Sequence, residues 1–215
     1  MVVLVGKKAP AFAETAVVDG GNMISNFSLE QFVGQKNVLF FFYTTDFGFV
    51  CPTEILAFQK RLKEFEERDT IVVGCSIDSK QTHWAWLQTE QKEGGIKGVT
   101  FPLVADVSKT IAWNYGILAG DYESDDDGRL SFIGSPIAYR GLFLIDKQGI
   151  VRHQLINDLP FGRSVDEALR MVDALRFYEE NGEVCPADWH EGDEGIQETH
   201  ESIAAYLGKD NAVKA

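Results

Sequence analysis

The chain has 215 residues, with 20 Lys and Arg against 33 Asp and Glu, a net charge of -13 and a pI near 4.7. That balance excludes nucleic acid as the expected partner, because no basic stripe is available to neutralise phosphates. No stretch approaches the ~18 apolar residues of a membrane span, and the opening MVVLVGKK is too short an apolar run for a signal peptide, so a cytoplasmic, reducing setting is the expectation.

Hydrophobic residues at 45% suffice for a core, and the 15 Phe add large side chains to bury. The elements alternate between strand and helix patterns, which predicts an α/β domain. Asn37–Tyr43 (NVLFFFY) is a continuous apolar run, the pattern of a strand buried on both faces. After a short connection come Cys51 and Pro52, and a helix whose stripe is Ile55, Phe58, Leu62 and Phe65. Thr70–Ile77 reads as a second buried strand. Helical stretches follow around Thr82–Glu93 and Ser108–Tyr115, separated by Gly94, Gly95 and Gly98 and the strand-like Thr100–Val104. Asp121–Ser135 is polar, acidic and Gly-containing, and is expected to be an exposed loop. Gly141–Asp146 and Ile150–Ile156 flank Lys147-Gln148-Gly149, a hairpin signal. Ser164 with Glu167 makes a capping-box signature that opens a helix through Leu169, Val172, Leu175 and Phe177, ending near Gly182. From Glu183 to Ala215 the chain is acidic and weakly patterned, and reads as a tail.

Three widely separated cysteines, Cys51, Cys75 and Cys185, do not read as a disulfide framework in such a setting, and no CxxC is present. The four histidines are scattered, without zinc-ligand spacing. Cys75 lies inside an apolar strand and reads as a small buried hydrophobe. Cys51 is different. It sits at a strand-to-helix junction, where the unpaired N–H groups of the first turn and the helix dipole favour a thiolate. Pro52 suits the first helical turn, where a missing N–H is harmless. A thiolate that is also exposed is oxidised to sulfenic acid; a buried structural cysteine is the competing reading.

The segment FFYTTDFGFVCPTEI resembles the peroxidatic segment of the typical two-cysteine peroxiredoxins, the alkyl hydroperoxide reductase C and thiol-specific antioxidant type. Lys8-Ala9-Pro10, Ile77-Asp78, Thr82-His83, Phe101-Pro102-Leu103, Tyr139-Arg140-Gly141, Asn157-Asp158-Leu159-Pro160, Gly162-Arg163-Ser164 and Glu183-Val184-Cys185-Pro186 follow in family order. The resemblance implies a thioredoxin-like fold over 1–165 and a C-terminal helix and arm over 166–215. It implies a thiol peroxidase acting on hydrogen peroxide and organic hydroperoxides, with no cofactor. Cys51 would become the sulfenic acid, Arg140 would hold thiolate and peroxide, Glu54 would orient Arg140, and Arg163 would add a second positive group. Cys185 would resolve the sulfenic acid of a partner subunit. A thioredoxin-like protein or a dedicated disulfide reductase would then restore both thiols. The implied assembly is a homodimer, and in this family often a ring of five dimers.

The chain departs from the family where peroxide would meet the sulfur. The family has a proline seven residues before the cysteine and a threonine three before it; here those positions hold Thr44 and Gly48, and Thr45 also departs. The family's threonine hydroxyl bonds the thiolate and the peroxide, and losing one such preorganised donor costs ~10²–10³ in rate. Thr44 and Thr45 carry hydroxyls, but not at the matching position. The expectation is therefore a preserved fold with weakened turnover, and a second reading, from another class, is an oligomeric holdase chaperone or redox-signalling scaffold. A Cys–His hydrolase using Cys51 and His153 has no nucleophile–base motif behind it. The pairing of Gly94-Gly95-Ile96-Lys97-Gly98 with Tyr206-Leu207 is close to, but not the same as, the motifs of overoxidation-sensitive members, which implies intermediate sensitivity to sulfinic acid formation.

Overall fold

A computed structural model describes residues 3–213, with side chains up to Lys209. In chain order the elements are β1 (Glu14–Val18), β2 (Asn22–Phe27), β3 (Asn37–Phe42), α1 (Cys51–Lys60), α2 (Leu62–Glu66), β4 (Thr70–Ser76), α3 (Lys80–Gln88), β5 (Leu103–Ala105) and α4 (Thr110–Asn114). They continue as β6 (Leu118–Ser124), β7 (Leu130–Ala138), β8 (Arg140–Ile145), β9 (Val151–Asn157), α5 (Val165–Asn181) and α6 (His200–Val213). By contacts the chain divides into two compact units, 1–165 and 166–215. No helix among the described residues is long and apolar enough to cross a membrane.

The first unit is built on a seven-stranded mixed sheet in the order β2-β1-β5-β4-β3-β8-β9. All six residues of β3 are buried, as a strand with neighbours on both sides and both faces covered must be. It runs parallel to β4, with Asn37 opposite Thr70 and Phe42 opposite Cys75, and antiparallel to β8, with Phe41 opposite Leu142. That register brings Arg140, the first residue of β8, to the same end of the sheet as the carboxyl end of β3. Alternate residues of β3 serve opposite faces. Phe40 packs on Phe12, Phe42 and Tyr115, while Phe41 stacks on Phe58 of α1 at 4.7 Å. α1 is thereby anchored through its apolar stripe, and its first turn is fixed over the sheet end.

Several expectations change. The helix expected from Ile55 to Phe65 breaks at Arg61 into α1 and α2, and Arg61 binds the Glu64 carboxylate instead of continuing the turn. α3 stops at Gln88, followed by a short 3-10 turn at Gln91–Glu93. Asp121–Ser135 is exposed but is not a loop: β6 and β7 pair as an antiparallel ribbon, with Tyr122 and Phe132 edge to face at 4.9 Å. Its turn closes through Gly128, at φ +78°, donating to the Asp125 carbonyl. β1 and β2 had no apolar signal of their own; β2 is a sheet edge, and five of its six residues are exposed.

The second unit also exceeds a tail. Along α5, Ala168, Leu169, Val172 and Leu175 are buried. After it the chain turns back, with Val184 and Ile196 paired as an isolated antiparallel bridge. Trp189 is 2% exposed and packs on Phe177 at 4.9 Å, donating its indole N–H to the Asp193 carbonyl. The segment that read as unpatterned then forms the 14-residue helix α6.

Candidate active site

Cys51 begins α1, with Pro52 in the first turn and no side-chain cap on the helix start. The sulfur is not exposed as expected: Cys51 is fully buried. What surrounds it is polar. The Arg140 guanidinium donates to Sγ at 3.6 Å, and the same Nη1 donates to Glu54 Oε2 at 2.7 Å. Arg140 Nε is anchored on the Leu159 carbonyl at 2.7 Å. Three residues along α1 from the cysteine, Glu54 uses its other oxygen for Arg163, accepting from Nε at 2.7 Å and from the backbone N–H at 2.9 Å. Arg163 Nη1 donates to the carbonyls of Phe42 and Gly141, and its guanidinium lies over the Phe41 ring at 5.0 Å.

Arg140 and Arg163, which without the family resemblance would read as surface charges, are both buried. Burial pulls the Arg163 guanidinium down from the ordinary arginine range, and the Glu54 carboxylate opposes that pull. Two guanidiniums against one carboxylate leave one positive charge in excess beside the sulfur. In a site excluded from water, that excess is complemented by an anion on Sγ or on a bound oxygen.

Thr44 Oγ1 lies 3.1 Å from Cys51 Sγ. Thr44 thus brings a hydroxyl to the sulfur, although it does not stand at the position of the family's threonine. Gly48 also faces the sulfur. A Cβ built there would stand 3.1 Å from Sγ and 3.2 Å from the Thr45 carbonyl oxygen, closer than ordinary contact.

One group does not stand out in the sequence, where His83 and Asp46 are only motif positions. The Tyr43 hydroxyl donates to Asp46 Oδ1 at 2.9 Å, and His83 Nδ1 meets Asp46 Oδ2 at 2.8 Å. The Asp46 N–H donates to Asp78 Oδ2 at 2.8 Å. Burial raises the Asp46 carboxyl above its ordinary value, against the pull of His83. This network pins both ends of the turn that carries Thr44 and Thr45. The usable signal was polar residues inside an aromatic run, which a core does not accept without partners.

Cys75 is buried in β4, its thiol pushed well up by burial. Cys185 lies in the second unit, partly buried, and its thiol donates to the Ala174 carbonyl at 3.6 Å. No group of three His, Cys, Asp or Glu able to hold a metal ion occurs among the described residues.

Residues 5–154 match the AhpC/TSA family, and residues 174–209 match the C-terminal domain of 1-Cys peroxiredoxin. The chain is 48% identical over 211 residues to alkyl hydroperoxide reductase C of Helicobacter pylori, covering 98% of this chain and 99% of that one. It is 46% identical over 207 residues to peroxiredoxin-2 of Mus musculus, covering 96% of each. The reduced 2-Cys peroxiredoxin of Plasmodium vivax superposes with a TM-score of 0.86 at 42% identity, over 96% of this chain and all of that one. The mixed sheet with its flanking helices is the thioredoxin-like fold of these proteins, and the chain belongs to the AhpC/TSA family of peroxiredoxins, the thiol-dependent peroxidases.

Proposed function

We propose that the protein reduces hydrogen peroxide and organic hydroperoxides through Cys51, with Cys185 of a second copy as the resolving thiol. The observation that carries this reading is the Arg140 guanidinium at 3.6 Å from Sγ, fixed by Glu54 and Leu159. The Cys51 thiolate attacks one peroxide oxygen, the O–O bond breaks, and the leaving oxygen takes a proton to depart as water or an alcohol. Sγ is left as sulfenic acid. Arg140 stabilises the charge that moves onto the leaving oxygen; Glu54 is a positioning residue for Arg140, and Arg163 ties Glu54 to the end of β3.

The Cys185 thiolate then attacks the sulfenic sulfur, forming a disulfide and releasing water. Exchange with a dithiol donor, a thioredoxin-like protein or a dedicated disulfide reductase, returns both thiols. Such a donor belongs to a reducing setting, which is the cytoplasmic one. A disulfide between copies needs at least a homodimer, and β9 is an edge strand of the seven-stranded sheet, covered at Val151 by Gly6 and Lys7 of the same chain. A ring of five such dimers is the larger assembly that the family resemblance supports, with residues 166–215 as the arm that carries Cys185.

The test is a non-reducing gel after one equivalent of peroxide, on wild type, Cys51→Ser and Cys185→Ser. A disulfide-linked dimer in wild type alone is the expected result. A dimer that persists in either variant would refute the pairing.

A further inference from the structure

We infer that Thr44 supplies the hydroxyl that holds the reacting sulfur of Cys51, and that Gly48 is the vacancy that lets it do so. The inference rests on Cys51 as the peroxide-reactive group and concerns how that group is held.

Thr44 Oγ1 is 3.1 Å from Sγ and Thr44 is 9% exposed, so its hydroxyl has the sulfur as its partner and little solvent as an alternative. When Sγ is a thiol, either atom can donate. Once it is a thiolate, only Thr44 can, and the contact becomes a charge-assisted bond that strengthens with charge on sulfur. The hydroxyl does not depend on a mobile side chain. Thr44 follows Tyr43, whose N–H donates to the Cys75 carbonyl and whose hydroxyl donates to Asp46, itself tied to His83 and Asp78. A β-branched side chain on a backbone pinned on both sides has few rotamers left. Preorganisation of this kind makes a donor effective at a reacting atom.

Gly48 is the complementary half. A Cβ there would meet Sγ at 3.1 Å and the Thr45 carbonyl at 3.2 Å, so a side chain at 48 requires the sulfur or the turn to give by a few tenths of an ångström. Thr44 Oγ1 and a side chain at 48 would thus both press on the same sulfur. The two positions are therefore coupled: the departures at 44 and 48 are one exchange of a donor from one side of the sulfur to the other. On this inference the hydroxyl missing at 48 is supplied from 44.

The experiment is the second-order rate of peroxide reaction by stopped-flow Trp fluorescence, with the rate of Cys51 alkylation by iodoacetamide as a second readout. The panel is Thr44→Val, Thr44→Ala, Thr44→Ser, Gly48→Thr and Thr44→Ala with Gly48→Thr, each checked for folding by circular dichroism. Thr44→Val and Thr44→Ala should lose ~10²–10³ in peroxide rate and alkylate more slowly, whereas Thr44→Ser keeps both. Gly48→Thr alone should be slower than wild type, and the double variant faster than either of its singles, a non-additivity expected of residues that share a partner, here the Cys51 sulfur. The Val and Ala variants at wild-type rate, or a double variant no faster than its slower single, would overturn the proposal. If Thr44→Val fails to fold, the Ser and Ala pair carries the same comparison. A wild-type chain inert to peroxide, or a Cys51→Ser chain that still consumes it, would refute the underlying reading of Cys51 instead.

Discussion

Cys185 donates its thiol proton toward the Ala174 carbonyl from a partly buried position, and burial pushes that thiol above the ordinary cysteine value. Arg170 pulls the other way. Its guanidinium is held by both Glu167 oxygens at 2.7 Å and by the Trp189 carbonyl at 3.1 Å, so the cation is fixed on the same face of α5 as Ala174. The sign of the resulting pH dependence follows from which form reacts. A raised thiol holds its proton longer, so at neutral pH the reactive thiolate is the minor form. Disulfide formation should therefore accelerate with pH, up to ~10-fold per unit, until the thiol has titrated. Arg170→Met removes the opposing cation, and the rise should move to higher pH, with slower disulfide formation at pH 7. Rapid-quench mass spectrometry across pH would read this while also following Cys51 oxidation, which should be unaffected; superimposable profiles for both chains would sink the argument. Glu54 is the opposite case, a carboxylate that must remain paired. Removing one partner of a buried ion pair costs about 3–5 kcal/mol, because the other charge is left in place, and here two guanidiniums depend on one carboxylate.

At the scale of elements, the buried sulfur sets a kinetic problem. Cys51 is 0% exposed at the first turn of α1, so a second thiol reaches it only after that turn opens. The start of α1 lacks a side-chain cap, and the preceding turn holds Phe47 at φ +56°, a conformation that costs a non-glycine residue about 1–2 kcal/mol. Both features favour opening; Pro52 resists it by limiting the freedom that the opened turn would gain. Pro52→Ala should ease opening by about 0.4–1 kcal/mol, roughly 2–5-fold. Under graded peroxide, mass spectrometry should then show more disulfide and less Cys51 sulfinic acid than in wild type; an unchanged or reversed ratio would contradict a role for this turn. These elements also show what a sequence reveals. β3, β4 and β8 were legible because strands buried on both faces leave continuous apolar runs. β2 and the β6–β7 ribbon were not, because exposed strands need no apolar face, and the acidic tip at Asp125–Asp127 masked the Tyr122–Phe132 pair. Cys51, Arg140 and Glu54 were found through motif positions, and Arg163 through the same route. The Thr44 contact escaped because spacing along a chain does not say which way a turn points its side chains.

The whole molecule carries its charge into any assembly. Each chain brings -13, and among the groups on the exposed ribbon are Asp121, Glu123, Asp125, Asp126 and Asp127. Copies meeting in a dimer or a ring therefore repel one another at long range, while the apolar and backbone contacts that join them act only at short range. Salt acts on the first and hardly on the second: the screening length is about 30 Å at 0.01 M and about 3 Å at 1 M. Assembly should accordingly tighten as ionic strength rises, the reverse of what interfaces held by opposite charges would do. Sedimentation velocity at fixed protein concentration, from about 0.01 M to about 1 M salt, should show the distribution move toward the larger species. On the proposed attack of Cys185 on Cys51 of another copy, disulfide formation in dilute protein should rise with salt in parallel. A distribution that shifts to smaller species as salt increases would mean that paired charges, not apolar and backbone contacts, hold the copies together.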